Sequence, residues 1–347
     1  MAYQSEKSKS SLPPSMKEAR KELQNISDVF APETEGIKYT DSKRKLLPYI
    51  ISMIQSTNAK SVLDGFSGTT RVSQALAKQG YRVIANDIAI WSRMFSECYL
   101  LNKYPPSHYQ GIIDHLNSLP PKKGWYTKHY GGKENGGVSV QEDGRKRPWQ
   151  EHNTMKLGAI REEIEHLGLS SIEKSVVLTS LILALDSVDN TIGHHTLYLR
   201  EWSPRSYRTM KMKVPKLIHP QCCQHEVYQE DIFSVLLRAH ADLVYLDPPY
   251  GSSNDKMPSP RVRYSAYYHL WKTIILDDKP ELFGRALRRQ DSRDDYLPSF
   301  FESFRKNPLT GRFIAEEALE RAMQLSNAKY VLLSYSTNGR IPIERLF

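Results

Sequence analysis

The sequence predicts an α/β fold built on a doubly wound, mostly parallel sheet with helices on both faces. Three observations predict it. A strand–turn–helix–strand unit runs from 61 to 87, near-continuous apolar runs follow at 241–247 and 329–334, and a glycine-containing turn joins the first strand to its helix. Such runs are typical of strands that are covered on both faces, and parallel strands joined through helices form doubly wound sheets.

The elements follow in order. Apolar residues recur at helical spacing over 43–56, at Leu46, Leu47, Ile50, Ile51 and Ile54. The predicted βαβ unit comprises a strand at Ser61–Asp64, a turn at Gly65–Gly68, a helix at Thr69–Lys78 and a strand at Tyr81–Asp87. Later strands are predicted at Glu226–Gln229, Ala241–Asp247 and Lys329–Ser334.

Between Asp87 and about Glu226 the strand pattern is interrupted. Helices are predicted at about 91–101, 155–167 and 171–186, with a loop from Pro120 to Trp149. Residues 1–35 are rich in Ser, Lys, Glu and Pro, which predicts a loosely held N-terminal arm. The predicted organisation is therefore an arm (1–35), a main domain formed by 36–90 and 221–347, and a functional insertion at 91–220.

Composition narrows the class of protein. With 39% hydrophobic and 25% charged residues among 347, the chain is an ordinary globular protein and not a fibrous or disordered one. It lacks an apolar run long enough to span a membrane, and its N-terminus lacks the apolar stretch of a signal peptide, so a cytoplasmic location is expected. Three cysteines, two of them adjacent, are not a disulfide framework.

The charge of the chain favours a polyanionic partner. Lys and Arg number 48 and Asp and Glu 39, which leaves a net charge of +9. Nucleic acid is the first candidate for such a basic protein, although many basic proteins bind none.

The turn after the first strand has the properties of a ligand-binding loop. Gly65 and Gly68 permit unusual backbone angles, and the amides of Thr69 and Thr70 lie at the start of a helix, where an anionic group is stabilised. Asp87 follows Gly68 by 19 residues, the expected place for a carboxylate that accepts hydrogen bonds from ribose hydroxyls. The simpler interpretation is a plain strand–turn–helix in which Asp87 caps the next helix.

A second turn, Asp247-Pro-Pro-Tyr250, lies just past a predicted buried strand, at the edge where such sheets bind ligands. Proline has no backbone N–H, so this turn offers acceptors, namely the Asp247 carboxylate and the Pro248 carbonyl. A ligand amino group suits them, and the Tyr250 ring can face a planar heterocycle. A Pro-Pro turn with a capping Asp is the simpler alternative.

Together these motifs resemble the Dam-like S-adenosylmethionine-dependent DNA methyltransferases, which modify the exocyclic amine of adenine. The matching segments, in the family's order, are Tyr39-Thr-Asp-Ser-Lys43, Phe66-Ser-Gly68, Asp247-Pro248-Pro249-Tyr250 and Tyr330–Tyr335. The match covers roughly 39–90 and 220–338, and Asp41 departs from it where the family usually has a small residue. The resemblance implies a Rossmann-like methyltransferase sheet with a largely helical target-recognition insertion.

The resemblance also implies roles. Tyr39 and Lys43 would contact the methionine end of S-adenosylmethionine, Asp87 its ribose, and Asp231 with Ile232 its adenine. The cofactor-binding set is then Tyr39, Lys43, Asp64, Phe66, Gly68, Asp87, Asp231 and Ile232. The catalytic set is Asp247, Pro248, Pro249 and Tyr250, where a base flipped out of double-stranded DNA would stack on Tyr250 and donate its amine hydrogens to Asp247 and Pro248.

Basic residues in the insertion predict DNA contacts. Seven basic and three acidic side chains lie within 120–150, interleaved with aromatic residues, and five more basic residues lie within 204–216. The predicted DNA-binding residues are Lys122, Lys123, Arg145, Arg147, Arg205 and Arg208. For any one of them, a solvated charged surface is the simpler interpretation.

Two His and Cys motifs are candidate metal sites. His219, Cys222, Cys223 and His225 include zinc-ligand residue types, but adjacent cysteines cannot easily reach one tetrahedral ion, and His194-His195 lacks the helix context of a zinc motif. No metal is predicted.

The predicted function is site-specific adenine methylation of DNA, within a restriction-modification system or by an orphan methylase, with a cognate restriction endonuclease as a candidate partner. Alternatives are methylation of the cytosine amine, where the turn begins with Ser or Thr, methylation of protein glutamine, where it reads NPPY, and a catalytically silent or truncated DNA-binding module with a methyltransferase-like fold. Thirteen residues from Tyr335 to Phe347 cannot supply two further strands. The sheet is therefore expected to end on an exposed strand, with the chain a shortened, weakly active and poorly soluble version of a longer enzyme.

Overall fold

Five parallel strands form the central sheet of this computed structural model, which describes residues 30–40, 42–218, 223–251, 264–293, 299–303 and 305–346. The strands are β1 (Ser61–Asp64), β2 (Arg82–Asn86), β3 (Glu226–Tyr228), β4 (Leu243–Leu246) and β5 (Tyr330–Leu333). Each overlaps a strand predicted from the sequence.

The strand order in space is β3-β2-β1-β4-β5. From β1 the chain therefore adds strands on one side, through β2 to β3, and then crosses to the other side of β1 for β4 and β5. All four pairings are parallel, with Leu63 opposite Ile84 in β2 and Val244 in β4. The order reverses between β1 and β4, and doubly wound sheets bind ligands at the carboxyl edge of such a point.

The sheet ends on β5 among the residues that the structure describes, as expected from the sequence. Val331 of this strand is 38% exposed, whereas the central strand β4 is buried along its whole length. The segment from 284 to 293 does not pair with β5. It contributes instead to a separate antiparallel ladder of Leu282–Phe283 with Arg288–Arg289.

Eleven α-helices surround the sheet within the described ranges. They are α1 (Leu47–Gln55), α2 (Arg71–Lys78), α3 (Ile90–Ser96), α4 (Pro106–Ser118), α5 (Trp125–Tyr130), α6 (Glu151–His166), α7 (Ser171–Asp186), α8 (Ile232–Leu236), α9 (Tyr264–Tyr267), α10 (His269–Leu276) and α11 (Ile314–Leu325). Helix α3 continues as one π-helical turn over Glu97–Leu101. No helix of the described segments is both long and apolar enough to cross a bilayer.

The predicted loop from Pro120 to Trp149 is partly ordered structure. It contains α5, and Gly131–Gly132 pairs with Trp149–Gln150 in a short parallel ladder. Helix α4, which precedes this region, was also missed, although Tyr109, Ile113 and Leu116 are buried at helical spacing. Pro and Gly residues lie close to both helices in the sequence. They interrupt the helical periodicity of the short apolar faces, so the sequence pattern does not predict these helices.

The two faces of the sheet belong to two separate cores. Val62 and Val83 point into one of them, while their neighbours Leu63 and Ile84 point into the other, as strand alternation requires. The first core continues into the insertion, where it includes Leu157 of α6. The predicted boundary at residues 90 and 91 is thus crossed by one continuous apolar core.

The end of the predicted N-terminal arm is fastened to α2. Arg71 donates to the carbonyl of Thr34 at 2.8 Å, and Gln74 exchanges hydrogen bonds with the backbone of Glu35 at 2.9 and 3.0 Å. The prediction of a loose arm is therefore wrong for its last residues. Residues 1–29 lie outside the described residues.

Candidate active site

One cavity of about 1220 Å³ opens at the carboxyl edge of the sheet, where the strand order reverses. Its wall includes every residue that the sequence assigned to cofactor binding or catalysis. These are Tyr39, Lys43, Asp64, Phe66, Gly68, Asp87, Asp231, Ile232, Asp247, Pro248, Pro249 and Tyr250. The fold thus brings together side chains that are up to 211 positions apart in the chain (250 minus 39).

The glycine turn is held tightly between β1 and β2. Gly68 adopts φ 51°, a left-handed backbone that favours glycine, and its N–H donates to Asp87 Oδ2 at 2.8 Å. Thr70, at φ 61°, adopts the same unusual conformation immediately before α2. A Cβ atom at Gly68 would lie 3.5 Å from the Tyr39 ring, so the turn also forms part of the cavity wall beside that ring.

Asp64 ends β1 and is 1% exposed. Its Oδ2 accepts a hydrogen bond from Ser73 at 2.6 Å, while its buried Oδ1 has no hydrogen-bond partner among the described residues. Burial raises the pKa of this carboxyl group to about 7. A buried polar atom without a partner is costly, so this oxygen is suited to a ligand donor.

The carboxylates of Asp87 and Asp231 both accept hydrogen bonds from backbone N–H groups. Asp87 Oδ1 accepts from the N–H of Ala89 at 2.9 Å, and Asp231 Oδ1 accepts from the N–H of Phe233 at 2.9 Å as the N-cap of α8. Burial raises the pKa of Asp87. The simpler interpretation of Asp87 as the cap of the next helix is wrong, because the N-cap of α3 is Ala89 and it makes no side-chain cap bond. Each carboxylate oxygen has two lone pairs, so an oxygen that accepts one N–H can accept a second donor.

The predicted catalytic turn directly follows β4. Tyr250 donates its hydroxyl to Asp247 Oδ1, and Lys43 Nζ lies 2.9 Å from Asp247 Oδ2. The side chains of Lys43 and Asp247 are only 10% and 15% exposed. Burial raises the pKa of Asp247, and the nearby Lys43 ammonium opposes that rise.

Lys43 therefore contacts the predicted catalytic turn itself. Its Nζ also lies 5.0 Å from the centroid of the Tyr250 ring. The resemblance had assigned Lys43 to the methionine end of a cofactor, and nothing in the local sequence indicates that it meets Asp247, 204 positions away (247 minus 43).

An aromatic stack forms the wall around Tyr39. The ring of Tyr39 is stacked on Tyr268 with centroids 4.4 Å apart and on Tyr264 at 5.5 Å. The Tyr268 hydroxyl accepts from the N–H of Thr40 at 2.7 Å, which fixes the chain next to Tyr39. Sequence reasoning missed both partners, although the aromatic run after Tyr264 was a visible signal.

A brace formed by residues 335–341 supports the predicted catalytic turn, and no local sequence pattern indicates it. The Tyr250 carbonyl accepts from the Arg340 N–H at 2.7 Å and from the Tyr335 hydroxyl at 3.2 Å. The Tyr335 hydroxyl in turn accepts from the Ile341 N–H at 3.2 Å. A Cβ atom at Gly339 would come within 2.5 Å of the Tyr335 ring, so this close packing requires glycine.

Two of the predicted DNA-binding residues are exposed lysines in surface ion pairs. Lys122 lies 2.8 Å from Glu162, and Lys123 lies 3.0 Å from Glu151. Exposed pairs contribute about 0–1 kcal/mol, so either lysine can exchange its carboxylate for a phosphate at little cost.

The predicted DNA-binding arginines form ion pairs or hydrogen bonds within the insertion. Arg147 is 6% exposed and lies 2.8 Å from Asp143, which also pairs with the exposed Arg145 at 3.3 Å. Arg205 donates to the carbonyl of the buried Asp189 at 2.8 Å, and Arg208 donates to the Ser187 carbonyl at 2.9 Å. Arg147 and Arg205 therefore stabilise the insertion itself, a role that basic composition alone does not reveal.

Within the described residues, His225 and Cys223 of the first His and Cys motif form hydrogen bonds with backbone groups. His225 Nδ1 accepts from the Val83 N–H at 3.0 Å, and Cys223 donates to the Gly80 carbonyl at 3.3 Å. His195 is 2% exposed, and burial lowers its pKa well below the usual value. His219 and Cys222 lie outside the described residues, and the rest of the described chain contains no cluster of metal-ligating side chains.

Comparisons with known proteins identify a family for this chain. A family model for D12 class N6 adenine-specific DNA methyltransferases matches residues 39–303. The chain is 27% identical over 329 residues to the modification methylase StsI of Streptococcus sanguinis, covering 89% of this chain and 45% of that protein. It is 25% identical over 316 residues to the type II methyltransferase M.NlaIII of Neisseria lactamica, covering 88% and 85%. For M.FokI of Planomicrobium okeanokoites the identity is 25% over 326 residues, covering 89% and 46%. The chain thus spans about half the length of the StsI and FokI enzymes.

Proposed function

Because the chain belongs to the D12 class N6 adenine-specific DNA methyltransferases, we propose that it methylates the exocyclic amine of adenine at a specific site in double-stranded DNA. The relatives that are modification methylases or type II methyltransferases support a place in a restriction-modification system, with a cognate endonuclease as partner.

One observation carries the proposal. The acceptor turn Asp247–Tyr250 follows β4, the glycine turn follows β1, and both open into one cavity at the reversal of strand order. A methyl donor and a methyl acceptor must meet within one site. This cavity offers the glycine turn for the donor and the Asp247–Tyr250 turn, which carries hydrogen-bond acceptors, for the amine.

The cavity fits S-adenosylmethionine as the methyl donor. The buried Asp64 Oδ1 lacks a partner among the described residues and suits a cationic amino group, while Asp87 and Asp231 retain acceptor capacity for hydroxyl and amino groups. Ile232 is 4% exposed and offers an apolar surface beside Asp231. When bound, this cofactor supplies an electrophilic methyl group on a sulfonium centre.

The residues of the catalytic turn act on the substrate amine. The adenine amine is a poor nucleophile because its lone pair is delocalised into the ring. Acceptance of its two N–H bonds by the Asp247 carboxylate and the Pro248 carbonyl favours a pyramidal nitrogen and stabilises the positive charge that develops there. Tyr250 offers its ring to the base. After transfer the cationic nitrogen loses a proton to Asp247 or to water.

Lys43 favours the ionised form of the acceptor Asp247. A buried carboxyl group favours its neutral state, and a protonated Asp247 would lose acceptor capacity. The ammonium at 2.9 Å opposes this effect of burial. Lys43 is thus proposed to act on the charge of Asp247 in addition to any contact with the cofactor.

The target amine lies inside the duplex, so the base must be flipped into the cavity. We assign contacts with the DNA backbone to Lys122, Lys123, Arg145 and Arg208 of the insertion. Arg147 and Arg205 hold the loops that carry Arg145 and Arg208.

The decisive experiment is transfer of a tritiated methyl group from S-adenosylmethionine to unmethylated DNA, followed by hydrolysis and separation of the bases. Label in N6-methyladenine is expected, and Asp247→Ala serves as the inactive control. Label in methylcytosine or in protein would instead favour the other amine methyltransferases. DNA binding without any transfer would favour a silent binding module. Sequencing that detects modified bases then identifies the recognition site.

A further inference from the structure

The segment that leads to Tyr39 lies between the cavity and the insertion. Its three consecutive side chains face three different parts of the protein. Ile37 is buried in the first core, Lys38 reaches Asp189 in the loop after α7, and Tyr39 lines the cavity. Residues of the insertion therefore contact the residue that directly precedes a wall residue of the proposed cofactor site.

Lys38 is held by the insertion at both its backbone and its side chain. Its N–H donates to Asp186 Oδ2 at 3.1 Å, and its Nζ donates to the Asp186 carbonyl. The same Nζ lies 2.9 Å from Asp189 Oδ1. These contacts fix Lys38 relative to α7 at two points, so the position of the next residue, Tyr39, depends on the insertion.

Asp189 is in turn fixed by its own loop. It is 1% exposed. Its Oδ1 also accepts from Arg205 Nε at 3.0 Å, and its Oδ2 accepts from the Thr191 hydroxyl at 2.6 Å. Removing one partner of a buried ion pair is costly, because it leaves a charge without compensation. The carboxylate of Asp189 is therefore a firm anchor for Lys38.

The same loop also contacts the aromatic stack of the cavity wall. The His195 N–H donates to the Tyr267 carbonyl at 2.7 Å, and the His194 ring is stacked on the Tyr267 ring with centroids 4.3 Å apart. Tyr267 ends α9, and the first residue of that helix, Tyr264, is stacked on Tyr39. The loop after α7 thus holds both sides of the stack, one through Lys38 and the other through α9.

We propose that the insertion completes the cofactor site, with Asp189 acting through Lys38 as a positioning residue for Tyr39. This inference rests on the proposed function, because it takes the cavity beside Tyr39 to hold S-adenosylmethionine. Lys38 and Asp189 are not among the described residues that line the cavity, so their effect on the cofactor passes through the wall. The insertion then has a role in cofactor affinity before any DNA is bound.

The first test measures the affinity for S-adenosylmethionine by calorimetry without DNA. Lys38→Met and Asp189→Asn each remove one charge of the ion pair and keep a side chain of similar size. We expect each variant to bind about fivefold or more weakly, the lower end of coupling between distinct sites. The double variant should bind little more weakly than the weaker single variant, because both changes break the same contact. Losses that multiply in the double variant, or wild-type affinity in either single variant, would overturn the inference.

A control variant tests whether any lost ion pair of the insertion has this effect. Glu165 of α6 also pairs with one arginine and one lysine, Arg161 and Lys174. Glu165→Gln should bind S-adenosylmethionine as tightly as the wild-type protein. A loss equal to that of Asp189→Asn would show that the effect is not specific to the contact with Lys38.

Hydrogen–deuterium exchange without cofactor locates the change. The amides of Lys38 and Thr40 donate to Asp186 and to the Tyr268 hydroxyl. In Asp189→Asn the peptide covering 36–40 should exchange faster, while the peptide covering the buried strand β4 keeps its wild-type rate. Faster exchange in both peptides would show a general loss of stability and would contradict a positioning role. Failure of the wild-type protein to bind the cofactor would count against the proposed function, and the exchange rates would still decide whether Asp189 positions the segment of Tyr39.

Discussion

Replacing Lys43 with methionine should make turnover more sensitive to acid. The Lys43 ammonium lies 2.9 Å from Asp247 Oδ2, and both side chains are largely buried. Burial already raises the pKa of Asp247, and Lys43 is the main influence that lowers it. Without the lysine, the pKa of Asp247 should rise further, and the carboxyl group should become protonated at a higher pH.

The size of the effect follows from the contact. A neighbouring opposite charge at this range favours the ionised form of a carboxyl group by about tenfold or more. Because only ionised Asp247 can accept the amine hydrogen bonds fully, turnover falls as pH decreases through its pKa. In Lys43→Met the acid limb of the kcat profile should therefore move to higher pH, and turnover at a fixed pH on that limb should fall by at least about tenfold.

The assay is kcat against pH at saturating cofactor and DNA. Lys43→Arg, which preserves the cation, is the matched control and should keep the acid limb near its original position. Asp247→Asn should lack this limb. If Lys43→Met leaves the limb in place and raises only the KM for the cofactor, then Lys43 acts on the cofactor alone and the argument from the ion pair is refuted.

Three further predictions concern the same cavity. Asp247→Ala should lower kcat by about 10²–10³ while cofactor affinity, measured by calorimetry, stays nearly unchanged; retention of a tenth of wild-type turnover would contradict its role. Tyr335→Phe removes the hydroxyl that donates to the Tyr250 carbonyl and accepts from the Ile341 N–H. Only the first of these bonds reaches the turn at Tyr250, so kcat should fall about 2- to 12-fold, as expected for one hydrogen bond, with the affinity for DNA preserved. A loss of thermal stability without any change in kcat would make the brace purely structural. Cofactor affinity should rise as pH increases through about 7, because Asp64 is charged only above its raised pKa. Asp64→Asn should bind more weakly and show no such dependence, and a wild-type affinity that is flat on both sides of this pH would exclude a charge contact from Asp64.

Local sequence patterns were sufficient to predict the sheet and the positions of the two turns that line its cavity. Strands β1 and β4 lie within one or two residues of their predicted bounds, because short apolar runs next to glycine and proline are local features. Parallel strands also place their carboxyl ends on one edge, so the meeting of the turns at Gly65–Gly68 and Asp247–Tyr250 could be predicted without knowing any side-chain contact.

The insertion was predicted less well. Its basic residues were read from composition, but composition does not show that Arg147 is buried against the loop it belongs to. Burial depends on which segments pack together, and a charge run has the same appearance in sequence whether it faces solvent, phosphate or an internal carboxylate.

The sequence by itself determined the fold class, the strand positions and the positions of the turns at 65–68 and 247–250, since each depends on periodicity or backbone chemistry within a few residues. Which distant residues contact those elements was decided only by the tertiary structure. The ion pair of Lys43 with Asp247 and the hydrogen bond from Tyr335 to Tyr250 each join residues far apart in the chain. Such contacts arise because packing of the whole domain fixes the distance between side chains, and no local pattern encodes that distance.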